Sequence, residues 1–134
     1  MADNRPLILL ADDETDVALV AATRLEVSGY EVVTAADGEE ALALFRARRP
    51  DLVLLDILMP RLDGFQVCSM IKADPATHDV PVIIFSASSS HSLSLERKCI
   101  EMGADECIRK PYSGENLLAR IEFQLARRRR EPHA

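Results

Sequence analysis

The residues best suited to chemistry sit directly after short apolar runs. Asp12, Asp13 and Glu14 follow Leu7-Ile8-Leu9-Leu10-Ala11, and Asp56 follows Leu52-Val53-Leu54-Leu55. Ser86 and the small Ala87 follow the run from Val80 to Phe85, and Lys110-Pro111 follow Glu106-Cys107-Ile108. If these runs are adjacent parallel strands, three aspartates, a hydroxyl and an amine share one edge. Carboxylates that close repel each other by about 4 kcal/mol at 4 Å and an effective dielectric near 20. A proton or a bound cation must relieve that repulsion. An oxygen-only donor set suits Mg²⁺, with Asp12 and Asp13 as its ligands. Lys110 would pair with one carboxylate and turn to an incoming anion as a compact point charge. Such a set suits phosphoryl transfer to a carboxylate, with Asp56 as nucleophile. Ser86 and Lys110 would hold the transferred oxygens, and Ala87 would let the backbone approach them.

The elements that must position these groups are legible as a pattern. The strand candidates, with Glu31-Val32-Val33-Thr34-Ala35 as the second, lack polar alternation and read as buried on both faces. Helical spacing lies between them. Val17, Val20, Ala21 and Leu25 mark the first helix, and Leu42 and Phe45 mark the second after Asp37-Gly38. Phe65, Cys68 and Ile71 mark the third; Leu95, Cys99 and Met102, stopped by Gly103, mark the fourth. Leu117, Leu118, Ile121 and Leu125 mark the fifth, with Ser113 as N-cap. Asp63-Gly64 reads as a turn or helix start. Five strands alternating with five helices predict an α/β fold, a parallel sheet covered on both faces, with its site beyond the carboxyl ends of the strands.

Composition narrows the function classes. The chain has 134 residues, enough for one domain, and a formal net charge of −6, which disfavours a general nucleic-acid binder. No apolar run reaches the roughly 18 residues needed to span a bilayer, and no signal-peptide pattern opens the chain. Cys68, Cys99 and Cys107 are an odd number without metal-like spacing, and read as reduced, mostly buried thiols of a cytoplasmic protein. No G-x-G-x-x-G is present, which disfavours a nucleotide or flavin module.

The chain resembles the CheY-like response-regulator receiver domains of two-component signalling. The resemblance is carried by Ile8 to Glu14, Pro50 to Pro60, Leu62-Asp63-Gly64, Pro81 to Ala87, and Gly103-Ala104-Asp105 through Lys110-Pro111, in order and at the family's spacing. It implies a (βα)5 doubly wound sheet of five parallel strands in the flavodoxin-like order 2-1-3-4-5. Residues 1–126 would form the receiver and 127–134 a basic tail or the start of a linker. It further implies phospho-acceptance by Asp56 from a sensor histidine kinase or phosphotransfer protein, in phosphorelay signal transduction. Mg²⁺ would be held by Asp13 and Asp56, with Asp12 helping directly or through water and the Leu58 carbonyl as a further ligand. Ser86 and Lys110, with the backbone of Ile57 and Ala87, would contact the phosphoryl oxygens. The peptide before Pro111 is expected to be cis.

The implied protein is a phosphorylated switch, not a multiple-turnover enzyme. Its fourth helix, fifth strand and fifth helix would bind an output partner, still unknown, or a second copy in a homodimer. No membrane contact is expected, and nucleic acid only if an output domain supplies it. The alternatives are a receiver-like scaffold that never takes phosphate and a Mg²⁺-dependent aspartyl-phosphate phosphatase. The second lacks the usual acid two residues after the nucleophile, where Leu58 stands. Cys107 stands where the family usually carries an aromatic ring, so the family's aromatic-switch step has no ring there. Leu58 borders the path of attacking water. Arg127 to Arg130 read as a solvated helix end that suits the helix dipole, as the start of a linker, or as a contact for an acidic partner.

Overall fold

A computed structural model describes residues 5–86, 92–110 and 112–130, without the side chains of 86, 92–96, 129 and 130. Ala87 and Pro111, and with Pro111 the expected cis peptide, lie outside the described residues. Five strands, β1 (Leu7–Ala11), β2 (Glu31–Ala35), β3 (Leu52–Asp56), β4 (Val82–Ser86) and β5 (Glu106–Arg109), alternate with five helices. The helices are α1 (Thr15–Val27), α2 (Gly38–Arg48), α3 (Gly64–Ala73), α4 (Ser92–Glu101) and α5 (Gly114–Arg130). All neighbouring strands pair in parallel, and the sheet order is β2-β1-β3-β4-β5, as the resemblance implied.

The two faces of the sheet explain the unbroken apolar runs. Successive side chains of a strand point to opposite faces. Leu9, Val53, Leu55, Val82 and Ile84 pack with Ala41, Leu42 and Phe45 of α2, with Cys68 and Ile71 of α3 and with Cys99 of α4. Ile8, Leu10, Leu52, Leu54, Ile83 and Phe85 pack on the other face with Ala18, Ala22 and Leu25 of α1 and with Leu117, Ile121 and Leu125 of α5. Each strand residue therefore needs an apolar side chain whichever way it points.

The helix starts follow the local chemistry. Asp37 caps α2 by accepting from the Glu40 amide. Asp63 opens α3 with a reciprocal capping box to Gln66. Ser113 Oγ accepts from the Asn116 amide at 3.0 Å, the cap expected for α5.

One expectation is corrected. The buried stripe of α1 is Ala18, Ala22 and Leu25, whereas Val17 and Val20 are 40% and 65% exposed. The apolar residues of α1 occupy nearly every face, and the sheet selects the side whose alanines allow close approach. Val17 and Val20 instead line a groove of about 410 Å³ between α1 and α5, with Arg24 and Tyr112. The arginine run is the end of α5, as expected, and the helix reaches Arg130. Arg127 pairs with Asp105 at 3.2 Å, and Arg128 reaches Asp51 at 3.7 Å and Asp79 at 3.5 Å.

None of the three cysteines forms a disulfide. Burial pushes the Cys68 thiol up to about 12 from 9.0, leaving on the order of a thousandfold less thiolate at neutral pH. Cys68 is therefore expected to stay unmodified when the native protein is treated with a maleimide at pH 7, and to react at once in guanidinium. Mapping the label by peptide mass checks this; native labelling of Cys68 at the unfolded rate would contradict it.

Candidate functional site

The carboxyl ends of β1 and β3 lie side by side, with Ala11 registered against Leu55. That pairing brings Asp12 and Asp13, just past β1, to Asp56, the last residue of β3. Asp12 and Asp56 are buried and Asp13 is exposed, and one carboxylate oxygen from each lies within 4.8 Å of the others. Lys110, just past β5, reaches across the end of β4. Its Nζ donates to Asp56 Oδ2 at 3.0 Å and to Asp12 Oδ2 at 3.5 Å. The expected pairing of the amine with the carboxylates is thus present. Asp12 Oδ1 accepts from the Glu14 amide at 3.0 Å, which fixes the remaining oxygen at the start of α1.

One ammonium among three acids leaves an electrostatic deficit. Burial pushes the Asp56 carboxyl up, the hydrogen bond and charge of Lys110 pull it partly back, and Asp12 adds to the push, so it lies above the ordinary 3.8. Burial pulls the Lys110 ammonium down, but its bond to Asp56 and the charges of Asp56 and Asp12 outweigh this and hold it above the ordinary 10.5. A site that holds its proton so readily has capacity for further positive charge. Three convergent carboxylates with no nitrogen or sulfur donor fit a hard divalent cation such as Mg²⁺.

The backbone around Asp56 corrects one expectation. The Ile57 amide donates to the Phe85 carbonyl at 3.2 Å, extending the β3–β4 ladder, and is spent there. The amide that reaches the Asp56 carboxylate is Leu58's, at 3.3 Å from Oδ1. The strand bond continues one residue past β3 before the chain turns, so the first free amide falls one residue later. Leu58 itself is 70% exposed on the loop above the site. Ser86 ends β4, beside Arg109 of β5, which puts its position at the same edge; its side chain lies outside the described residues.

Sequence reading missed Tyr112. Its ring stacks on Phe85, the residue before Ser86, with centroids 5.0 Å apart and planes 15° from parallel. The only signal was an aromatic two positions after Lys110. Cys107 is partly buried and packs against the α2–α4 side of the core, so the ring beside the end of β4 comes from the segment after β5.

Residues 8–122 match the family described as the response regulator receiver domain. The chain belongs to this receiver family of two-component signalling. Among relatives, the receiver is 42% identical over 127 residues to the "Probable transcriptional regulator ycf27" of Cyanophora paradoxa, covering 95% of this chain and 51% of that protein. It is 36% identical over 129 residues to the "DNA-binding dual master transcriptional regulator RpaA" of Synechocystis, covering 96% of this chain and 53% of that protein. The chain therefore spans about half the length of the curated relatives it matches. Among solved structures, a response regulator receiver domain protein from Clostridium thermocellum superposes with a TM-score of 0.85 at 30% identity, over 92% of this chain and 97% of that one. A CheY-like receiver domain protein from Methanospirillum hungatei gives 0.86 at 28% identity, over 96% of this chain and all (100%) of that one. Among the described residues of the receiver, no helix is long and apolar enough to cross a membrane.

Proposed function

We propose that this receiver is a phosphorylation switch in which Asp56 accepts a phosphoryl group from a phosphohistidine of a sensor kinase or phosphotransfer protein. The observation that carries the reading is the Asp56 carboxylate at the end of β3, held 3.0 Å from the Lys110 amine and within 4.8 Å of Asp12 and Asp13. A carboxylate oxygen of Asp56 forms the new bond to phosphorus as the nitrogen–phosphorus bond of the donor breaks, and the imidazole leaves and takes up a proton. Asp12, Asp13, Asp56 and the Leu58 carbonyl would hold Mg²⁺, which when bound supplies positive charge to the transferred oxygens. Lys110 follows the new negative charge, as a flexible ammonium does; the resemblance to the family would add Ser86 and the Ala87 amide to the Leu58 amide around the transferred oxygens.

Phosphorylation biases two pre-existing arrangements of the domain. The output surface is α4, β5 and α5, offered to a partner or to a second copy. The relatives' names as transcriptional regulators support an output that ends in DNA binding, supplied by another domain or protein. The receiver itself acts in the cytoplasm and turns over no substrate.

Acetyl phosphate or phosphoramidate treatment with and without Mg²⁺, read by intact mass and size exclusion, tests the reading. One phosphoryl group added only with Mg²⁺ is the expected result. No addition would favour a scaffold, and sustained turnover of the donor a phosphatase. The lifetime of the adduct tests Leu58. An apolar side chain there gives attacking water no hydrogen-bond partner. Leu58→Asn is expected to shorten the half-life by roughly threefold or more, a small share of the 10²–10⁴ of a full general base. A parent half-life equal to or shorter than the variant's would reject this.

A further inference from the structure

The loop from β3 to α3 carries a strained turn, whose Leu62 packs against the core. Arg61 has φ +72°, a left-handed conformation on a residue with a full side chain. The Leu62 amide donates back to the Pro60 carbonyl at 2.9 Å, closing a three-residue turn around it. Strain of this kind persists only where the surroundings enforce it, and it concentrates at functional sites.

The enforcement comes from the first residues of α2. Gly38 donates its amide to the Pro60 carbonyl at 3.5 Å. It presses so closely on Leu62 that a Cβ there would overlap the Leu62 carbonyl oxygen and lie 2.8 Å from the carbonyl carbon. Asp37 Oδ2 meets Arg61 Nε at 3.4 Å. The far end of the loop is held in the same manner. Gly64 donates to the Ile57 carbonyl at 3.0 Å, and a Cβ on it would lie 2.5 Å from the Asp56 carbonyl oxygen. Between these two clamps lies Leu58, whose amide touches the Asp56 carboxylate.

We infer that the Asp37-Gly38 start of α2 is a positioning element for the Asp56 site, holding the strained Arg61 turn so that Leu58 stays in register with the carboxylates. Gly38 and Arg61 touch no carboxylate of the cluster and act through the loop. The inference rests on the cation site proposed above. Removing groups that orient a metal's ligands lowers affinity by about 10–100-fold.

The test is a Mg²⁺ titration of the full chain, followed by the amide NMR shifts of Leu58 and Asp13, with thermal melting in chelator alongside. Gly38→Ala forces Leu62 away and is expected to weaken Mg²⁺ about tenfold. Gly29→Ala is the stability control. Gly29 has φ +102° with open space around it, so an alanine there strains the backbone far from the loop. It is expected to lower the melting temperature and leave Mg²⁺ affinity unchanged. Arg61→Gly relieves the left-handed strain and frees the turn. It is expected to melt no lower than the parent yet bind Mg²⁺ at least about threefold more weakly, a split that a purely structural role would not give. Parental affinity in both Gly38→Ala and Arg61→Gly overturns the positioning role. An equal loss in Gly29→Ala overturns it too, by assigning the effect to general stability. No binding by the parent chain overturns the cation site itself, and the positioning role with it.

Discussion

Asp56→Asn is expected to abolish phosphoryl uptake and, in the same protein freed of metal, to raise its stability. The first effect follows because an amide nitrogen and a neutral carbonyl cannot replace a carboxylate oxygen as the attacking group. Intact mass after phosphoramidate and Mg²⁺ should show no adduct. An adduct of undiminished yield would remove Asp56 from the centre of the reaction. The second effect follows from the sign of its titration. Burial raises the Asp56 carboxyl above its ordinary 3.8 despite Lys110. A raised folded-state value means that the group favours folding when protonated, and that this contribution is lost as pH rises through that value. At neutral pH the carboxylate is thus a net cost. Asparagine removes the charge in nearly the same shape, while Lys110 keeps Asp12 at 3.5 Å and remains about one-quarter exposed. Removing that net cost should raise Tm by a few degrees in chelator at pH 7 (about 1–5 °C). The gain should shrink as pH falls through that raised value, where the parent's Asp56 takes up its own proton. A lower Tm for the variant at pH 7 would show that the Lys110 pair outweighs the cost of burial.

Lys72→Met is expected to cost about 3 kcal/mol while leaving the chemistry of Asp56 intact. Lys72 Nζ donates to the His78 carbonyl at 3.0 Å, to the Val80 carbonyl at 2.8 Å and to Asp105 Oδ2 at 2.8 Å. Asp105 Oδ2 also accepts from the Val82 amide at 2.8 Å. One ammonium therefore ties α3 to the segment entering β4 and to the residue before β5. Both charged partners are mostly buried, with side-chain exposures of 15% and 13%. Methionine keeps the aliphatic stem but leaves two carbonyls and a carboxylate without their donor, a loss of about 3–5 kcal/mol for a broken buried pair. Arg127, 3.2 Å from Asp105 Oδ1, offsets part of it. Urea denaturation should show the drop, and phosphoramidate labelling of the folded variant should proceed at the parental rate, because this staple sits at the opposite edge of the sheet. A loss below about 1 kcal/mol would show that the pair is solvated in practice.

These features differ in how far the chain order reveals them. Alternating apolar runs and helical spacing depend on burial of neighbouring residues, so β1 to β5, α1 to α5, the helix start at Asp63-Gly64 and the cap at Ser113 are readable locally. The convergence of Asp12, Asp56 and Lys110 follows almost as directly, because parallel strands must put their carboxyl ends on one edge. Local periodicity says less about which face of a helix wins. Val17 and Val20 fit the spacing as well as Ala18 and Ala22, and only contact with the sheet separates them. It says nothing about pairs made by distant backbone approach. The Lys72–Asp105 staple, the anchoring of Arg127 and Arg128, and the contact of Gly38 with Leu62 join elements whose spacing along the chain carries no trace of their meeting. The Leu58 amide, not that of Ile57, faces Asp56 because the β3–β4 ladder runs one bond further than residue types reveal. Burial is a property each residue carries into the fold, whereas register and close approach exist only once the layers are assembled.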